Sequence, residues 1–195
     1  MKAKLIIPTS LSEIKLKEYQ QFMLIQDKKD DKGFMLEVIR TFAKGDLDAV
    51  ERFPVSKIEE IYLSILTLLQ SEENALKRVI NINGVEYGFH PDLQELTIGE
   101  FSDIEEFIKQ GYSQNIHKIL AVLYRPVNRK HGKLYGIEPY SGTGKRPDIF
   151  LDNFPVDALH GVFVFFSIIE NESMMNILSS LSKQEIEKLF KPQPQ

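Results

Sequence analysis

The 195-residue sequence predicts an α+β fold that is predominantly α-helical. It reads as a helical bundle with a short β-hairpin at about residues 78–89 and a long irregular loop at 127–147. Three observations predict this. Apolar residues recur at helical spacing through most of the chain. Asn83-Gly84 separates two short runs rich in β-branched and aromatic residues, and Asn-Gly suits a type I′ turn because both central residues take φ > 0. Residues 158–169 are apolar on nearly every side, as a helix buried on nearly every side must be.

The first zone, to about residue 75, is helical. Ile14, Tyr19, Phe22, Met23 and Leu24 cluster at mixed helical spacings, and residues 27–33 form a charged break. Phe34, Val38, Ile39 and Phe42 then stand at i, i+4, i+5 and i+8, an amphipathic helix closed by Gly45. Ser56 and Glu59 have capping-box spacing for a helix to about Gln70, with Pro54 just ahead of it.

Val79, Val85, Tyr87 and Phe89 supply the hairpin, which His90-Pro91-Asp92 ends. Thr97 and Glu100 make a second capping box, opening a helix through Phe101, Ile104, Phe107 and Ile108 that Gly111 stops. Ile116, Ile119, Leu120 and Leu123 lie on one face of the next helix, 115–124. It ends at Arg125-Pro126, because the residue before proline avoids the helical region.

Gly132, Gly136, Gly142 and Gly144 punctuate the stretch 127–147. The central helix is expected over 156–180, with Phe163, Phe166 and Ile169 fully buried at i, i+3 and i+6. Ser182 and Glu185 cap a short terminal helix. Residues 1–190 read as a single compact domain and 191–195 as a disordered tail.

The chain carries 24 Lys+Arg against 28 Asp+Glu, a formal charge of −4. It has no Cys, which excludes disulfides, cysteine catalysis and Cys-based metal sites. The apolar run 162–166 is far below the ~20 residues that span a bilayer, and the start shows no secretory signal. These features lead us to expect a soluble protein of a reducing cytoplasm.

No enzymatic motif emerges. Residues 141–146, Ser-Gly-Thr-Gly-Lys-Arg, approach a phosphate-binding loop, but Pro139 stands where its first Gly belongs and Arg146 where Ser or Thr should hold magnesium. His90, His117, His131 and His160 form no ligand pair. The carboxylate pairs at 30–31, 59–60, 72–73 and 105–106 fall at breaks or polar faces, not in apolar pockets. We therefore expect neither catalytic residues, nor a cofactor, nor a metal.

One charge asymmetry remains. Between Arg125 and Arg146 lie six Lys/Arg and one acid, Glu138, with tyrosines interleaved. The candidate partner-binding residues are Arg125, Arg129, Lys130, Lys133, Tyr135, Tyr140, Lys145 and Arg146. The alternative is a nucleotide- or nucleic-acid-binding protein using the same basic Gly-rich loop, 125–146. Arg125 also admits a structural reading. At a helix C-terminus it can meet unpaired carbonyls, or clamp Glu100 or Asp103 in a two-pronged pair.

Three stretches carry a resemblance: residues 10–22, residues 83–107 with their Thr-x-Gly-Glu-Phe helix start, and residues 117–126 ending Leu-Tyr-Arg-Pro. In this order the chain resembles proteins of the structural and assembly modules of tailed bacteriophages. The resemblance implies virion morphogenesis, as a tail-assembly chaperone or a minor virion structural protein. It implies tail, portal or tape-measure-like partner chains and a place in the host cytoplasm during assembly or in the virion; the short apolar runs argue against a membrane partner and the net negative charge against nucleic acid. It brings no catalytic residue with it.

Overall fold

The computed structural model describes residues 5–25, 31–71 and 75–169. The expected α+β class with helix in the majority holds. In place of a bundle with one small hairpin, two packed regions share a continuous set of contacts.

The first region holds β1 (Leu5–Ile6), α1 (Leu16–Ile25), α2 (Asp31–Phe42), β2 (Lys44–Gly45) and α3 (Val55–Leu69). Strands β1 and β2 pair antiparallel. The i, i+4, i+5, i+8 stripe of α2 does what its spacing predicts: Val38, Ile39 and Phe42 are buried, and Phe42 packs 5.6 Å from Phe22 of α1. The capping box at Ser56 does not form. Helix α3 starts two residues earlier, at Val55, because the Pro54 carbonyl accepts from Lys57 N at 2.9 Å. Ser56 is thereby placed inside the helix.

The second region is built on a four-stranded antiparallel sheet in the order β3 (Val79–Ile82), β4 (Val85–Phe89), β5 (Tyr124–His131), β6 (Leu134–Ile137). Asn83 and Gly84 take φ of 54° and 82°, the conformation expected of the turn. Helices α4 (Ile98–Lys109) and α5 (Tyr112–Leu123) connect β4 to β5. Gly111, at φ 107°, ends α4 and at the same time opens α5, three residues ahead of the expected start.

The long loop at 127–147 is corrected. Its first part is strand: β5 and β6 pair antiparallel around a turn at Gly132. Only residues 138–145 are irregular, and a helix absent from the sequence reading, α6 (Arg146–Asn153), follows. Proline, a bulge between Val127 and Arg129, and a run of basic residues hide the alternation that marks a strand. The pairing that makes β5 a strand is also non-local, with Tyr124 opposite Phe89 and Arg125 opposite Gly88.

Helix α7 (Val156–Ile169) joins the two regions. Val156 is buried with the residues of α1 to α3, whereas Ala158, Leu159 and Val162 are buried with the sheet and α5. The backbone agrees: Leu16 N donates to Phe154 O at 2.9 Å, and Val156 N donates to Ile14 O at 3.1 Å. Tyr87, Phe89, Tyr124, Phe150 and Phe154 form an aromatic chain through this core, with successive ring centroids 5.0 to 5.3 Å apart where they meet. Phe163, expected fully buried, is half-buried at the margin beside Tyr112. The side chains of Phe166 and Ile169, the helix beyond 169, the cap at 182–185 and the tail 191–195 lie outside the described residues.

Candidate functional site

The eight basic and aromatic residues of 125–146 do not form one surface. They divide into an inward set and an outward set.

Arg125 anchors the inward set. It lies in β5, since α5 has already ended at Leu123, so its expected meeting with helix carbonyls does not occur. The ion pair with Glu100 does occur, through one guanidinium nitrogen rather than the two-pronged fork expected. The capping box at the start of α4 holds one oxygen of Glu100: Thr97 N and Thr97 Oγ1 both donate to Oε2, each at 2.6 Å. The other oxygen, Oε1, lies 2.6 Å from Arg125 Nη2 and 3.5 Å from His90 Nε2. One carboxylate therefore serves a helix cap and a buried ion pair at once.

Desolvation is the main influence on this cluster. Burial pulls Arg125 below its ordinary value, with Glu100 and Tyr140 opposing. Burial also lowers His90, Arg125 lowers it further, and Glu100 opposes both. The balance disfavours the protonated imidazole of His90. No sequence signal marked it, because nothing in its neighbours in the chain reveals that Glu100 will fold beside it.

The other inward residues are equally engaged. The Arg125 guanidinium sits over the Tyr140 ring at 5.6 Å, and Tyr140 Oη donates to Asp103. Burial and that hydrogen bond both push the Tyr140 hydroxyl up. Tyr135 Oη donates to Phe89 O at 2.7 Å. Arg146 donates from Nε to Ala121 O at 3.0 Å and from Nη2 to Gly142 O at 2.7 Å. The Gly-rich loop 141–146 is therefore clasped by its own arginine. It leads into α6 with no strand directly before it, as β6 ends at Ile137.

Arg129, Lys130, Lys133 and Lys145 form the outward set, and all are exposed. Lys130 meets Glu86 of β4 at 2.6 Å, a solvated pair of small energetic weight. Lys145 stands just before α6, and the β5–β6 hairpin presents Arg129, Lys130 and Lys133. Its seat is Gly88, which sequence reasoning missed. A Cβ there would lie 2.5 Å from the Tyr135 ring and 2.8 Å from Ile137, so only glycine lets the hairpin fold over β4.

The remaining histidines do not converge. His131 is exposed at the end of β5, His160 packs its ring 5.7 Å from Tyr19, and His117 is held low by burial and Lys118. Among the described residues no group of three His, Asp or Glu could hold a metal, and no helix is long and apolar enough to cross a membrane. What the arrangement offers chemically is a cationic surface on a fixed strand pair. Comparison with protein-family models, curated proteins and solved structures finds no match.

Proposed function

We propose that this protein is a non-enzymatic assembly or structural protein of tailed-bacteriophage virions, acting through protein–protein contacts in tail or portal-vertex morphogenesis. The resemblance of residues 10–22, 83–107 and 117–126 supplies the phage context. The observation that carries the contact reading is the division of the basic set. Arg125 and Arg146 are engaged internally, whereas Arg129, Lys130 and Lys133 stand outward on a hairpin locked to the core and Lys145 stands outward just before α6. A chaperone or a virion component needs such a surface, held in one geometry before its partner arrives.

The test is charge reversal of Arg129, Lys130 and Lys133 together in the phage genome. The expected result is a folded protein with unchanged melting temperature, a loss of crosslinks to tail, portal or tape-measure-like chains, and a fall in infectious particles. Unchanged particle yield would overturn the reading. Mass spectrometry of purified virions then decides between the two roles: abundant peptides from this chain make it a permanent component.

A further inference from the structure

Strand β6 is an edge of the sheet: among the described residues its one sheet neighbour is β5. Glu138 N donates to Pro126 O at 2.9 Å, which fixes the ladder on the β5 side. Antiparallel pairing alternates, so the backbone N–H and C=O groups of Ile137 and Tyr135 face away from β5, toward the open edge. Native edges are commonly blunted by charge, proline or a bulge on the edge strand. Leu134-Tyr135-Gly136-Ile137 has neither charge nor proline, and the bulge lies in β5.

The two faces of this edge differ. Tyr135 and Ile137 turn inward over Gly88. Leu134, 76% exposed, and Gly136 share the outer face, opposite His131 and Arg129 of β5. Gly136 carries no side chain there, and the β5 side chains lie across it instead: the position of a Cβ is 3.9 Å from Arg129 Nε and 3.1 Å from Asn128 Oδ1. Because Arg129 lies across Gly136 toward the edge, a carboxylate carried by a strand added beside β6 would find its guanidinium within reach of a long side chain. Lys133 stands at the turn beside it.

We infer that the open edge of β6 binds an extended acidic segment of a partner protein as an added fifth strand, its carboxylates seated against Arg129 and its backbone paired with Tyr135 and Ile137. Main-chain hydrogen bonds supply affinity in this mode and the side-chain pattern supplies selectivity. The cations that attract an acidic strand also repel a second copy of the same edge. The inference rests on the reading of the hairpin as a protein-contact face, and names the kind of partner it takes.

The probe is a pool of eight-residue peptides alternating Glu with Val or Ile, compared with the same peptides carrying Lys for Glu. Binding to the full chain is read by fluorescence anisotropy, and amide hydrogen exchange locates it. The Glu peptides are expected to bind, more weakly as salt rises, and to slow exchange at Tyr135 and Ile137 about tenfold while Leu134, already paired inward, changes little. Arg129→Gln should weaken binding about tenfold with no change in melting temperature. Three results would overturn the inference: equal binding of the Lys peptides, binding without protection of Tyr135 and Ile137, or no binding of the Glu peptides. Protection of both amides in the free monomer would overturn it too, since the chain itself would then cover the edge. Protection that appears only as the free chain self-associates would make the occupant a second copy, with the same consequence. If charge reversal still abolishes assembly in any of these cases, the protein-contact reading stands and strand addition alone falls.

Discussion

Glu100 and Arg125, one on α4 and the other on β5, meet at 2.6 Å with their side chains 1% and 5% exposed. The pair stitches the start of a helix to the middle of the sheet. Its energetic character follows from burial. Two charges taken out of water stabilise each other only while both are present, and removing one leaves the other desolvated and uncompensated.

Replacing Arg125 by Met should therefore destabilise the fold by about 3–5 kcal/mol in urea denaturation. Arg125→Lys should also be harmful, because a lysine lacks the planar guanidinium that lies over Tyr140. Glu100→Gln should weaken the Thr97 cap as well as the ion pair. A double-mutant cycle over positions 100 and 125 should show clear coupling; additivity would mean that the pair is energetically idle.

Gly88→Ala should destabilise by about 1–3 kcal/mol, the range for forcing extra atoms into a packed site. The Tyr135 ring would have to move, and its hydroxyl would then lose Phe89 O. Removing the obstacle should relieve the strain, so the alanine at 88 should be less harmful in a Tyr135→Ala background. Equal loss in both backgrounds would place the clash elsewhere.

The pH dependence of stability should carry the signature of His90. Its folded value lies below the ordinary one, so between the two the unfolded chain binds more protons than the folded chain. The stability linked to His90 is therefore complete above about pH 6.5 and is lost as pH falls from there toward the folded value. His117 shifts the same way and adds to the slope. Melting temperatures followed across this window should fall less steeply in His90→Gln than in the parent protein. Parallel curves would remove His90 from the explanation.

Nucleotide should leave the protein unchanged. ATP or GTP at millimolar concentration with magnesium should not raise the melting temperature, because the loop at 141–146 is closed on its own arginine. A ligand that bound the native state would raise it by mass action. Such a rise would restore the nucleotide-binding reading of residues 125–146.

The features legible in the chain are those whose causes lie within a few residues. Asn83-Gly84 specifies its turn because both residues tolerate positive φ, whatever surrounds them. Thr97 and Glu100 specify their cap because three residues of helix bring the two side chains together. Where another local start competes, as Pro54 does with Ser56, the same spacing misleads. Arg125 was legible as a clamp with Glu100 among its partners, because two successive helices packed antiparallel bring the start of the first beside the end of the second, although its place in a strand was not.

Only the tertiary structure decided the rest. Strand β5 exists through partners in β4, far back in the chain, and no local pattern records that distance. Basic residues of one composition were sorted into buried clasps and exposed contacts by the faces they occupy. Arg146 turns in toward Ala121, and Arg129 stands out beside Gly136. Local chemistry selects turns and caps because its energies act between near neighbours. Which strand edge stays open, and which cations reach water, depends on how distant surfaces pack, and packing exists only once the whole chain has folded.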